Sequence, residues 1–259
     1  MIFADSHCHL DDKVYSKDRD AVLSRFREAG GRAIMIAGIH EKSSRAAIRL
    51  AETHEDIYTS VGVHPHDAAE CDADTLTALK KLAKHPKVKA WGEIGLDFNR
   101  MYSPKEVQEH IFLKQMEIAD TLGLPLIFHE RDTNGRFLEL LKRHPNPDRR
   151  GVVHCFSGTR QELRQYLSLG FLIGVTGILT IASRGADLRN LAVDIPPDRL
   201  LIETDAPYLT PAPQKNKTRR NEPAFVLSVL LKLAEVRKED PEALSTILWN
   251  NTCGLFGIK

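Results

Sequence analysis

Two histidines stand two residues apart near the start of the chain, in Asp5-Ser6-His7-Cys8-His9. In an extended strand alternate side chains share a face, so both imidazoles would point one way while Cys8 points the other, and the pair could grip one cation. Glu93 lies in Ala90-Trp91-Gly92-Glu93-Ile94-Gly95-Leu96-Asp97, between glycines that let other groups approach the backbone closely. Its two carboxylate oxygens could bridge two cations. His129 and His154 each end an apolar run and would add nitrogen ligands. Glu203 and Asp205, in Glu203-Thr204-Asp205-Ala206-Pro207-Tyr208, share the inward face of a strand that Pro207 terminates. Burying such an acidic pair is costly unless cations or histidinium partners compensate it.

Singly, each of these residues has a plainer reading as a hydrogen-bonded core histidine, a helix cap or a buried ion pair. Their positions along the chain decide between the readings. Short apolar, β-branched runs alternate with longer stretches of helical period, the pattern of βα units around a parallel sheet. The runs are Ile2 to Ser6, Ala33 to Ile39, Tyr58 to Val63, Val88 to Ile94, Pro125 to His129, Val152 to His154, Phe171 to Val175 and Leu200 to Thr204. Between them lie amphipathic segments such as Asp18 to Ala29, Ser43 to His54, Thr75 to His85 and Lys105 to Leu122. Gly30, Gly123 and Gly170 follow helical stretches, and Pro86 and Pro125 forbid their continuation. The first strand meets no glycine-rich turn, which disfavours an open doubly wound sheet. The reading is therefore a (β/α)8 TIM barrel, a single domain over residues 1–259, with the chemistry-bearing residues at the C-terminal ends of the first, fourth, fifth, sixth and eighth strands, where such barrels build their sites. Trp91 is expected to face the barrel interior as a core residue.

The totals agree with a soluble enzyme. A chain of 259 residues with 42% hydrophobic and 27% charged residues can bury one substantial core and is neither disordered nor collagen-like. No apolar run is long enough to cross a bilayer, and Met1-Ile2-Phe3-Ala4-Asp5 lacks the features of a signal peptide, so a cytoplasmic location with no membrane association is expected. Cys8, Cys71, Cys155 and Cys253 form no CxxC pair and read as reduced thiols. A net charge of +1 supplies no general attraction to nucleic acid, so any such attraction must come from a local patch. The irregular stretch Thr210 to Asn221, read as a functional loop, provides one: Lys215, Lys217, Arg219 and Arg220 follow the eighth strand, where barrels often bind phosphate.

Seven segments in order resemble the TatD family of metal-dependent deoxyribonucleases, within the wider amidohydrolase-like group of barrels. They are Asp5-Ser6-His7-Cys8-His9-Leu10, Gly62-Val63-His64-Pro65-His66, Gly92-Glu93-Ile94-Gly95-Leu96-Asp97, His129-Glu130-Arg131-Asp132, His154-Cys155-Phe156-Ser157-Gly158, Glu203-Thr204-Asp205-Ala206-Pro207-Tyr208-Leu209 and Arg219-Arg220-Asn221-Glu222-Pro223. The resemblance covers nearly the whole chain. It implies that His7, His9, Glu93 and Asp205 bind one divalent cation and that Glu93, His129 and His154 bind a second, with Glu93 as the bridge. Zinc, manganese and magnesium all suit this mixed donor set.

Two such cations would hold a phosphate oxygen and activate a water for in-line attack on phosphorus. Asp205 is the expected base and Glu203 a supporting or alternative acid/base, while His64 would donate to a phosphate or leaving oxygen. His66, Lys215, Lys217, Arg219 and Arg220 would contact substrate phosphates. Phe98, Tyr102, Phe156 and Tyr208 lie near strand ends, where aromatic rings could stack on the bases of a single strand. The expected activity is 3′-5′ exonuclease cleavage of single-stranded DNA by a monomer. Hydrolysis of a cyclic amide or lactone, or of an aminoacyl-tRNA ester, is the alternative, and a non-catalytic metal- or nucleic-acid-binding barrel the third reading.

Overall fold

Each short apolar run pairs in parallel with the next, and the helical stretches cross between them. The computed structural model of the chain describes residues 1–258. In order the elements are β1 (Phe3–Cys8), α1 (Arg19–Glu28), β2 (Gly31–Ile36), α2 (Glu41–Glu52), β3 (Ile57–Val61), α3 (Ala73–Leu82), β4 (Val88–Asp97), α4 (Lys105–Leu122), β5 (Leu126–Arg131), α5 (Arg136–Arg143), β6 (Gly151–Val153), α6 (Arg160–Ser168), β7 (Leu172–Val175), α7 (Ala186–Ala192), β8 (Leu200–Ile202), α8 (Val226–Arg237) and α9 (Pro241–Phe256). The sheet runs β1 to β8 in sequence order, the topology of a (β/α)8 barrel. Helix ends follow local chemistry: Thr159 and Glu162 form a capping box at α6, and Gly123, at φ 66°, ends α4 in the left-handed conformation.

Closure between β8 and β1 is carried by residues beyond the end of β8. The Asp205 N–H donates to the His7 carbonyl at 2.9 Å and the His9 N–H to the Ala206 carbonyl at 2.7 Å. One step earlier, the Asp5 carboxylate accepts from the Thr204 N–H at 2.9 Å and from its hydroxyl at 2.5 Å.

Apolar side chains form two layers. Phe3, Ile34, Trp91, Ile94, Phe128 and Ile173 belong to the layer packed between strands and helices. Ala4, Ala33, Met35, Ala90, Ile127, Val152 and Leu201 fill the barrel itself, and Leu255, Phe256 and Ile258 join them. Trp91 is thus buried core, but it faces the helices and not the barrel interior: its indole N–H donates to Gln115 of α4 at 3.2 Å, and Ala90 takes the inward position.

Register shifts turn two of the expected site residues inward. Asp5 pairs with Ile34 and Cys8 with Ile36, so three steps of β1 face two of β2. Trp91 pairs with Leu126 and Ile94 with Phe128, the same mismatch at Glu93. An extra residue in one strand re-aims the side chains that follow it. Strict alternation from Ala4 and Ala90 would have sent His7 and Glu93 toward the helices.

Candidate active site

Glu93 is the hub of the barrel mouth, with its side chain 3% exposed. Glycine at 92 and 95 lets β4 lie close against β5 on either side of it: a Cβ at Gly95, whose φ is 150°, would overlap the His129 carbonyl oxygen. Its two oxygens serve different neighbours. Oε2 lies 3.3 Å from His7 Nε2 and 3.9 Å from His9 Nε2. Oε1 lies 2.8 Å from His129 Nδ1, 3.4 Å from His64 Nε2 and 3.8 Å from His154 Nε2. Asp205 Oδ1 approaches the same cluster, 3.4 Å from His9 Nε2, 3.8 Å from His7 Nε2 and 4.0 Å from His154 Nε2. The barrel thus brings His7, His9, Glu93, His129, His154 and Asp205 together with His64.

Three sets of donor atoms lie close enough to share a cation: His7, His9 and Glu93; His7, His154 and Asp205; and His64, Glu93 and His129. The donor chemistry fits divalent metal. His7 Nε2, the nitrogen that faces Glu93 and Asp205, is buried without a hydrogen-bond partner, an expensive arrangement unless a cation meets it. The His7 and His154 rings stack at 3.6 Å between centroids.

Charge distribution points the same way. Burial would raise the Glu93 carboxyl, but the imidazoles of His64, His7 and His154 and the hydrogen bond from His129 outweigh it and hold the pKa well below the usual range. Burial opposes protonation of His154, His9 and His129 as well, yet neighbouring carboxylates push them up, His154 to about 10 and His9 and His129 to about 9. Burial wins at His64, which falls to about 4. With protein charges alone, the acidic mouth takes up protons where cations would otherwise sit.

Polar neighbours set the ring orientations. His154 turns Nδ1 to Glu203 Oε1 at 2.8 Å, off the ring's hydrogen-bond axis, leaving Nε2 aimed at the cluster. Glu203 Oε1 also accepts the Cys155 N–H at 2.6 Å, so this wholly buried carboxylate stands behind His154. His64 Nδ1 accepts the His66 N–H at 3.1 Å, which places the proton of the neutral ring on Nε2, a donor facing Glu93. Asp97, which carries no assigned role in the sequence reading, accepts from His66 Nε2 at 2.8 Å and from His129 Nε2 at 3.2 Å. Its place on β4, four residues beyond Glu93 and on the same face, was the available signal.

The basic loop divides. Lys215, Lys217 and Arg219 are exposed, whereas Arg220 is committed: it donates to Asp18 at 2.8 and 2.6 Å and to Glu222 at 3.0 Å, with its guanidinium 5.1 Å from the Tyr15 ring centroid. Buried Asn221 pins the loop's base, its side-chain amide donating to the carbonyls of Thr204 at 2.9 Å and Tyr208 at 2.6 Å. Of the four aromatics, Phe156 is buried against Tyr166 and Phe98 lies beneath Lys105, while Tyr102 and Tyr208 are exposed. No described helix is long and apolar enough to cross a membrane.

Comparison with known proteins agrees with this geometry. The family model described as TatD related DNase matches residues 4–257. The chain is 44% identical over 254 residues to the 3'-5' ssDNA/RNA exonuclease TatD of Rahnella sp. (strain Y9602), covering 97% of each chain. It is 40% identical over 252 residues to the protein of the same description from Escherichia coli (strain K12), covering 96% of this chain and 97% of the other. Among solved structures it resembles YjjV, a TatD homologue from Escherichia coli k12, with a TM-score of 0.92 and 33% identity over 99% of this chain and 98% of the other.

Proposed function

This chain belongs to the family of TatD-related DNases, and from that premise we propose that it is a metal-dependent exonuclease removing nucleotides from the 3′ end of single-stranded DNA, and of RNA. The observation that carries the two-cation form of this reading is the division of Glu93: Oε2 faces His7 and His9, and Oε1 faces His129 and His154. His7, His9, Glu93 and Asp205 would hold one divalent cation and Glu93, His129 and His154 the other. When bound, such ions polarise a phosphate and make water nucleophilic near neutral pH.

The protein's own groups supply the base, the donor and the phosphate contacts. Asp205 Oδ1 lies within 4.0 Å of the nitrogens of His9, His7 and His154, so its carboxylate stands beside the place where water would be activated and accepts the proton of the attacking water. Glu203, wholly buried behind His154, orients that ring and leaves the base role to Asp205. His64 Nε2–H donates to a phosphate or leaving oxygen. His66, Lys215, Lys217 and Arg219 take up backbone charge, and Arg220 supports them by fixing the loop to α1 through Asp18.

The test is a panel of 5′-labelled oligonucleotides digested after chelation and after return of zinc, manganese or magnesium, with elemental analysis alongside. Stepwise shortening from the 3′ end that stops in chelator is expected, and digestion that persists after complete chelation would overturn the metal-dependent reading. A cyclic amide, a lactone and an aminoacyl-tRNA in the same panel separate the rival substrates. Of these, the uncharged ring compounds offer no phosphate to the free cations of the loop.

A further inference from the structure

Tyr102 and Tyr208 are the two most exposed large apolar side chains among the described residues, at 66% and 56% exposed. Tyr15 and Tyr166 are buried, and Tyr58 packs beneath Lys87 and Lys89. The exposed pair stands at the barrel mouth on opposite sides of the Glu93 cluster. Tyr102, in the loop between β4 and α4, meets the His66 ring edge-on at 4.8 Å. Tyr208, in the loop after β8, meets His9 at 6.0 Å. His66 belongs to the Asp97 and His129 side, His9 to the Asp205 side.

Neither ring rides on a slack loop. The Tyr208 N–H donates to the Asp205 carbonyl at 2.8 Å, and its own carbonyl accepts from Asn221. Next to Tyr102, the Ser103 hydroxyl donates to the His66 carbonyl at 2.9 Å and accepts the Ala69 N–H at 2.9 Å, while the Ser103 carbonyl accepts from Gln108 at 2.8 Å. A large aromatic face held rigidly in water gains nothing in the isolated protein. It loses little entropy on stacking against a flat partner.

Resting on the nuclease reading above, we propose that Tyr102 and Tyr208 are base-stacking positions that hold the two nucleosides flanking the scissile phosphate. A phosphate seated over Glu93 carries one nucleoside toward each ring. Stacking accepts any base, because every base has a π-face, so the pair would bind without sequence preference. It also requires bases free of duplex partners, which gives a physical cause for acting on single strands.

The experiment compares wild type, Tyr102→Ala, Tyr208→Ala and the two Phe variants on a single-stranded oligonucleotide and on the same strand with abasic sites at the two 3′-terminal positions. The binding constant is read by fluorescence anisotropy in chelator and KM in the presence of cation. Each Ala variant is expected to raise KM and Kd on the intact strand about tenfold, a change of ~1.4 kcal/mol, with Phe restoring wild-type values. On the abasic strand, which removes both stacks at once, the wild type is expected to lose about a hundredfold and each Ala variant only about tenfold, the share of the one ring it keeps. Unchanged KM and Kd in both Ala variants, or an equal further loss on the abasic strand, would overturn the stacking positions while leaving the nuclease reading intact. A wild type that cuts neither strand with cation present would overturn the nuclease reading and the stacking positions with it.

Discussion

At its N-terminal end the barrel interior is filled by Ala4, Ala90, Ile127, Val152 and Leu201, with Leu255, Phe256 and Ile258 packed among them. Two or three residues further along the same chain segments, at the C-terminal end, the interior holds His7, Glu93, His129, His154 and Glu203. The step is two residues where the strand is regular, from Ile127 to His129, and three where the register shifts, from Ala4 to His7 and from Ala90 to Glu93. Identical backbone scaffolding therefore carries an apolar plug at one end and a charged cluster at the other. Burial stabilises the first. The second is buried polar chemistry, tolerable because opposite charges and, in the proposed enzyme, cations meet within it.

The sharpest way to break that contrast is to mutate one residue at each end. Glu93→Gln keeps the shape and removes the charge that both imidazole sets share. It is expected to lower kcat/KM by a factor of about 1,000 or more, ~4 kcal/mol of transition-state stabilisation, with bound metal reduced in elemental analysis. Phe256→Ala is expected to lower stability by about 3–5 kcal/mol, and the melting temperature by roughly 10 °C, while kcat per folded molecule stays at the wild-type value. If Phe256→Ala abolished turnover in protein that is still folded, or Glu93→Gln left turnover intact, the division of labour between the ends would be wrong.

A finer test uses two neighbours on β7. Gly174 faces inward, and a Cβ there would sit 2.6 Å from Glu203 Oε2, whereas Val175 packs toward the helices. Gly174→Ala is expected to push Glu203 off His154 and reduce kcat about tenfold, with a stability cost on the order of 1–3 kcal/mol. Val175→Ala is expected to cost on the order of 2 kcal/mol of stability and no kcat. Equal kcat in the two variants would show that the Glu203 position does not matter to turnover.

Much of this was legible in the sequence because it depends on local period. The strand runs and the Lys105 to Leu122 helix follow from apolar spacing, and His129 and His154 follow from their places two residues after inward Ile127 and Val152. The register shifts in β1 and β4 were not legible, since an extra residue shows only against its partner strand. The HxH reading placed His7 correctly because it counted from the histidines and not from Ala4. Trp91 was misdirected for the same reason, one strand position being worth a whole face. The pairing of Arg220 with Asp18 was not legible, because the two lie 202 residues apart in sequence. Asp97 was within reach by counting along β4, and only its two imidazole partners reveal what it holds.

The smallest effect concerns the tether that joins the mouth to the outer helices. Arg220's guanidinium, hydrogen-bonded to Asp18, holds that carboxyl below its ordinary value. A carboxyl with a depressed native pKa stabilises the fold fully above its unfolded value, about 3.9, and loses that contribution as pH falls from there through the native value. Asp18→Asn is therefore expected to reduce the urea midpoint slightly and by a constant amount between pH 5 and 8 (roughly, on that scale), with the difference from wild type shrinking as the solution is taken toward about pH 3. The pair is half-buried and reached by solvent, so 1 M salt should shrink the difference at neutral pH too. Arg220 would remain held by Glu222, and the loop's cations would keep their place beside Asn221, so KM for a single strand should change far less than in Arg219→Ala. A difference that widened on acidification would mean that Asp18 is paired in the unfolded chain or is neutral in the native one, and the tether would then belong to Glu222 alone.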